Sequence, residues 1–227
     1  MQTMAMNLAE NLRDVRARID AAAQRAGHVV KLVAVSKTKP TADIAQMVAA
    51  GQHAFGENYV QEALAKQVEL KTVTAIEWHM IGPLQSNKAR EVATHFDWLQ
   101  TLDRAKLIAP LNRLRPDDAR PLNVLIQVNI DDEASKSGCA PRDIDELADA
   151  IAAAPRLALR GLMAIPAPSD LERRRAAFVR MRELYDALRT KHAGIDTLSM
   201  GMSDDFELAI EHGATLVRVG SALFGAR

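Results

Sequence analysis

The sequence has 227 residues, 48% of them hydrophobic, so one large core and a single domain spanning 1–227 are expected. Its 29 Lys and Arg balance its 29 Asp and Glu, which argues against general electrostatic binding to nucleic acid or anionic membranes and favours a small, specific ligand. The single cysteine, Cys139, excludes an internal disulfide, and without a long apolar span or a signal-peptide core a cytoplasmic location is expected.

At the start of the chain, Leu8, Leu12, Val15, Ile19 and Ala22 recur at helical spacing, with Glu10, Arg13, Asp14 and Arg18 on the other side. This predicts a packing helix within 1–28 that ends near Gly27, and its acidic residues argue against a transit peptide. From Lys31 onward, short β-branched runs alternate with helical patterns. The runs are Leu32 to Val35, Ala54 and Phe55, Trp78 to Ile81, Trp98 to Leu102, Val124 to Ile130, Leu159 to Ala164, Thr197 to Met200 and Leu216 to Val219. Between them lie helical stretches such as Ala42 to Ala50, and Phe178, Met181, Tyr185 and Leu188 at three- and four-residue spacing. Eight such units predict an α/β fold, a single (β/α)8 TIM barrel with an extra N-terminal helix; an open doubly wound sheet would show the same alternation. The run Arg173, Arg174 and Arg175 reads as a solvated helix flank.

In such a barrel the ligand site is built from the loops after the strands. Those loops are polar here: Ser36-Lys37-Thr38-Lys39, Gly56-Glu57-Asn58-Tyr59, Gly82 to Lys88, Gly201 to Asp205, and Gly220-Ser221. A lysine at the end of an apolar strand, Lys37, would carry its amine into a partly dry mouth, where desolvation favours the neutral nucleophile. Its competing role is an ion pair with a carboxylate such as Glu57; Lys39 is the weaker nucleophile because Pro40 takes the chain out of the barrel. Ser203 precedes the helical stretch Asp204 to His212, and Gly220-Ser221 precedes a last short turn, so both fall where barrels often hold phosphate. Either serine would serve equally as an ordinary N-cap.

Other chemistries fit less well. Gly82 to Lys88 lacks the second glycine of a nucleotide loop, and Ala89 follows where Ser or Thr is needed. The six histidines show no helical pairing and Cys139 stands alone, so no metal is expected. His79, inside an apolar run, reads as a hydrogen-bonded core histidine.

Taken together, Ala34 to Lys39, Phe55 to Glu62, Trp78 to Lys88, Ser199 to Asp205 and Val217 to Gly220 resemble the pyridoxal phosphate homeostasis protein family, whose barrel is related to that of alanine racemase. The resemblance implies a fold-type III site for pyridoxal 5'-phosphate (PLP), held covalently as a Schiff base on Lys37. It also implies that Ser203, Gly220 and Ser221 hold the phosphate, that Arg218 faces the pyridine nitrogen, and that Asn58 and Met200 lie near the ring. A guanidinium at that nitrogen stays charged and gives no proton, which weakens the ring as an electron sink. Tyr59 and Tyr185 fall on predicted helices, so neither is an evident second base.

The resemblance therefore implies a non-catalytic PLP carrier in vitamin B6 homeostasis, expected to be a monomer and to exchange the cofactor with PLP-dependent apo-enzymes. The alternatives are a PLP-dependent racemase or transaminase, and a barrel binding some other phosphorylated metabolite. Lys39, Lys88 and Lys136 are additional candidate contacts to PLP or phosphate, or else solvated loop lysines.

Overall fold

The structure is a computed structural model that describes residues 7–73, 76–131, 137–167 and 170–225. Eight parallel strands close into a barrel in chain order: β1 (Lys31–Val35), β2 (Ala54–Glu57), β3 (Glu77–Met80), β4 (Trp98–Leu102), β5 (Leu122–Gln127), β6 (Leu157–Met163), β7 (Thr197–Ser199) and β8 (Leu216–Val219). Lys31, Leu32, Val33 and Ala34 pair with Leu216, Val217, Arg218 and Val219, which closes the ring. The open-sheet alternative is thereby excluded. The expected strands all form; the largest shift is at β5, which ends at Gln127 because Val128 pairs beyond it only through an isolated bridge to Cys139.

The described helices are α1 (Leu8–Ala26), α2 (Thr41–Ala49), α3 (Val60–Glu69), α4 (Ala89–His95), α5 (Ile108–Leu114), α6 (Ile144–Ala152), α7 (Leu171–Lys191), α8 (Phe206–Glu211) and α9 (Ser221–Phe224). The apolar stripe expected of α1 is its buried face, and Gly27 ends it at φ 74°, a left-handed cap that a Cβ would strain. That stripe packs beside α8 and α9. Asn11 Nδ2 donates to the Leu223 carbonyl at 2.8 Å, and Arg18 makes a two-pronged contact to Glu207 at 2.7 and 2.9 Å. The first helix therefore braces the segment that carries Gly220 and Ser221.

Most apolar strand residues pack outward against the helices in one continuous core. Two small clusters stand apart from it, Val33, Ala54 and Leu216, and Trp98, Leu125 and Met163. Alternation along the strands assigns these to the barrel interior, where they share space with buried polar residues His79, Gln100, Ser199 and Arg218.

Three local expectations change. Tyr59 precedes α3 as its cap and is largely exposed, whereas Tyr185 is buried within α7. Ser203 does not cap α8: that helix starts at Phe206, because the Asp205 carboxylate accepts from Met202 N at 2.7 Å and holds residues 202–205 as a turn. Of the consecutive arginines 173, 174 and 175 on α7, only Arg173 is exposed. Arg174 reaches Asp205 at 3.5 Å and Arg175 meets His212 at 3.3 Å, both half-buried. No helix of the described residues is long and apolar enough to cross a membrane.

Candidate functional site

Five of the seven expected site residues meet at one cavity. β1 runs out at Val35, Ser36 is buried behind it, and Lys37 is half-buried on the rim. With Met202, Ser203, Arg218, Gly220 and Ser221, Lys37 lines a cavity of about 290 Å³ at the C-terminal end of the strands. That volume is at the lower edge of the range for small-molecule sites, about 300 Å³ upward. Parallel closure of β1 on β8 explains the meeting: it sets the loop after Val35 beside the loop after Val219.

The other two expected residues stand apart. Asn58 lines a second cavity, of about 490 Å³, with Tyr59, Gln85, Lys88 and Arg104. Its Oδ1 is buried and finds no hydrogen-bond partner among the described residues. Met200 is completely buried behind the mouth and borders neither cavity. Asn58 is held by a close backbone approach, since a Cβ on Gly82 would come within 2.2 Å of the Asn58 carbonyl oxygen.

The turn after Lys37 is strained. Thr38 adopts φ 62°, a left-handed conformation that a β-branched residue takes only against steric resistance, and its N–H donates to Glu62 Oε1 at 2.5 Å. Lys39 leaves the strand axis, and its Nζ donates to the Phe224 carbonyl at 3.0 Å. Lys88 is 3.4 Å from Glu91 and belongs to the second cavity. Lys136 lies outside the described residues.

Below the rim, Glu57 is fully buried and bound through Oε1 to Ser36 Oγ at 2.6 Å and Lys66 Nζ at 2.8 Å. Burial pushes its carboxyl above the usual range, against the pull of Lys66 and Ser36. Nothing in the sequence pattern had marked Lys66 as more than a helix residue, although its spacing from Glu62 matches an i,i+4 pair.

Anion donors cluster on the β7–β8 side. Ser203 Oγ accepts long hydrogen bonds from Gly220 N at 3.4 Å and Ala222 N at 3.3 Å, which ties the Ser203 edge of the cavity to the Gly220–Ser221 edge. Arg218 supplies the cation beneath it. Only 3% exposed, it donates through Nη1 to Ser199 Oγ at 2.5 Å and through Nη2 to the Ala164 carbonyl at 2.9 Å. Burial lowers its guanidinium to about 10, opposed by the charge of Asp205, so it stays positive at neutral pH.

From Arg218 a line of side chains descends the barrel axis. Ser199 Oγ donates to Gln100 Oε1 at 2.7 Å, Gln100 Nε2 lies 2.9 Å from His79 Nδ1, and His79 Nε2 meets Glu77 Oε1. Lys31 Nζ reaches the same oxygen at 2.5 Å. Burial lowers the basicity of His79 against the pull of Glu77, and its ring stacks on Trp98 at 5.2 Å. Reading the sequence found His79 as a bonded core histidine but missed Gln100, Ser199 and Glu77; the available signal was their alternation with apolar neighbours on β3, β4 and β7.

An amine, two hydroxyls, inward N–H groups and one buried cation thus converge on a single cavity. That donor set suits a small carbonyl compound bearing a phosphate-like anion and a ring acceptor. Among the described residues no group of three or more His, Cys, Asp or Glu could hold a metal ion.

Comparison with known proteins agrees with this chemistry. Residues 7–227 match the family described as alanine racemase, N-terminal domain. The pyridoxal phosphate homeostasis proteins of Escherichia coli K12 and Pseudomonas aeruginosa are 54% and 55% identical over 227 and 224 residues, covering 97% of this chain in both cases and 97% and 96% of the relatives. PipY of Synechococcus elongatus, solved with PLP bound, superposes with a TM-score of 0.83 at 35% identity over 96% of this chain and all of PipY. Alanine racemase of Corynebacterium glutamicum shares the fold alone, at a TM-score of 0.68 and 20% identity over 97% of this chain and 61% of the racemase.

Proposed function

The chain belongs to the pyridoxal phosphate homeostasis protein family, and from that membership we propose that it binds PLP covalently through Lys37 and serves vitamin B6 homeostasis without turning over amino acids. The observation that carries this reading is that Lys37, Ser203, Arg218, Gly220 and Ser221 line one cavity. PLP supplies an aldehyde, a phosphate and a pyridine nitrogen when bound. Lys37 offers the amine, which attacks the aldehyde carbon and links to it with loss of water. Ser203, Ser221 and the N–H of Gly220 hold the phosphate, while Arg218 faces the ring nitrogen. Asn58 borders the neighbouring cavity and Met200 is buried behind the mouth, so their place near the ring rests on the family resemblance alone.

Binding without turnover is supported by the groups around the cavity. Arg218 remains a guanidinium that can donate a hydrogen bond but does not transfer its proton to the ring nitrogen, which keeps carbanion chemistry unfavourable. A racemase needs a second base opposite the lysine, and neither tyrosine is suited to that place: Tyr59 borders the other cavity and Tyr185 is buried in α7. The domain 1–227 would then act as one unit, a cytoplasmic monomer that exchanges PLP with apo-enzymes; the zero net charge supports a small-molecule rather than a nucleic-acid or membrane partner.

The test is borohydride reduction of the protein with added PLP, followed by mass mapping. A new absorption band whose reduction fixes the label on Lys37 is the expected result, and label on other lysines overturns the assignment. Exchange of amino-acid α-protons far above that given by free PLP, abolished by Lys37→Ala, would replace the carrier with an enzyme.

A further inference from the structure

Barrels of this kind usually fill their interior with branched apolar side chains, and each buried polar group put there instead carries a desolvation cost unless it is fully bonded. This chain nevertheless keeps Ser199, Gln100 and His79 in line below Arg218, all of them with no exposure. Their hydrogen bonds admit one ordering. Arg218 offers only donors, so Ser199 Oγ must accept from it and send its own proton to Gln100 Oε1. That choice turns the Gln100 amide nitrogen toward His79 Nδ1, which must accept. The ring proton is therefore on Nε2 and is donated to Glu77, which Lys31 also holds at the barrel floor. Turning the Gln100 amide over would leave Ser199 between two donors and set an unprotonated His79 Nε2 against a carboxylate, or else charge a fully buried imidazole.

The ordering matters because Arg218 has somewhere else to go. Asp205 exerts a charge on it from α8's leading turn, and the phosphate side of the same cavity lies within the wall that Arg218 helps to form. A guanidinium held only by the Ala164 carbonyl would be drawn toward these anions. We propose that Ser199, Gln100 and His79 are positioning residues that fix the Arg218 guanidinium beneath the cavity, anchored through Glu77 at the barrel floor, so that it meets the cofactor's ring nitrogen and not its phosphate. This rests on the assignment of the cavity to PLP; the anchoring of Arg218 itself does not.

Two measurements separate those claims. In the protein without PLP, Ser199→Ala and Gln100→Leu should each speed exchange of the Arg218 guanidinium protons, followed by nitrogen-15 NMR, by about tenfold, the change expected for loss of one buried hydrogen bond. Ser199→Thr, which keeps the hydroxyl, should restore slow exchange. With PLP bound, the midpoint of the pH titration of the absorption band should move in Ser199→Ala and Gln100→Leu in the direction in which Arg218→Leu moves it. Combining either with Arg218→Leu should add nothing further, because the two act through one group. Exchange within twofold of wild type, or titration shifts that add in the double variants, would overturn the proposal. If Gln100→Leu does not fold, Ser199→Ala, which removes one oxygen, carries both measurements. A borohydride label absent from Lys37 in the wild type would sink the cavity assignment while leaving the exchange result to stand or fall by itself.

Discussion

Lys66 Nζ donates to both Glu57 Oε1, at 2.8 Å, and the Ser36 carbonyl, at 2.7 Å, so the carboxylate just behind Lys37 is answered by a lysine from α3. The ion pair that Lys37 might have made with Glu57 is thus occupied at Oε1 by Lys66 and Ser36, and the rim lysine is not needed to neutralise it.

Lys66→Met should leave an uncompensated buried charge and lower stability at neutral pH by about 3–5 kcal/mol, read from urea unfolding. The pH dependence follows from the raised Glu57 carboxyl. Below 4.5 the group is protonated folded and unfolded and costs nothing; as pH rises, the unfolded state ionises first and stability falls until the folded carboxyl ionises too. The Lys66→Met deficit should therefore shrink in acid, and adding Glu57→Gln should recover most of it. A deficit constant from pH 4 to 8, to within about 0.5 kcal/mol, would show that lost packing and not charge is responsible.

Glu77 behaves in the opposite sense. Burial alone would raise it, but His79 and Lys31 outweigh burial and hold the carboxyl at about 2, against 4.5 for the ordinary group. Its contribution is complete above pH 4.5 and is lost as pH falls toward 2. Solvent reaches 34% of the side chain and screens the pair, so about 1–2 kcal/mol is expected. Wild type and Glu77→Gln should differ by that amount at pH 6 and converge near pH 2; parallel curves would contradict it.

The barrel was legible in the sequence because its signals are short-range: a run of β-branched residues, a helical stripe, a glycine such as Gly27 past the stripe. Lys37, Ser203, Gly220 and Ser221 were reachable because a barrel places every post-strand loop at one mouth, whereas Arg218, inside β8, was reached only through the family resemblance. What the sequence did not yield depends on side chains meeting across the barrel. Gln100 and Ser199 are 99 residues apart, and no local pattern pairs them. The start of α8 shifted past Ser203 because the Asp205 carboxylate accepts from Met202 N and holds residues 202–205 as a turn, a contact that helical spacing alone does not reveal.

Thr38 stores local strain at φ 62°. Thr38→Asn, which tolerates the left-handed region, should raise stability by about 1 kcal/mol and the melting temperature with it. An unchanged or lower midpoint would mean that the Thr38 side chain makes up for its backbone.

Gly82→Ala should be disruptive, since the added methyl meets the Asn58 backbone at 2.2 Å and cannot be relieved by a rotamer change. A loss of about 1–3 kcal/mol is expected. Weaker PLP binding should accompany it if Asn58 borders the ring; intact affinity in a folded variant would remove Asn58 from the site.

The bracing of α8 and α9 by α1 joins residues that are 189 and 212 positions apart in the chain. A polypeptide emerging from its N-terminus therefore exposes Lys37 to solvent well before the facing wall of Ser203, Arg218 and Ser221 has been made. Until β8 docks on β1, the stripe of α1 has α2 but neither α8 nor α9 to pack against, and the lysine is one amine among many. Specific capture of the cofactor is on this account a property of the finished ring, since only closure of β8 on β1 brings Lys37 to Ser203, Arg218 and Ser221.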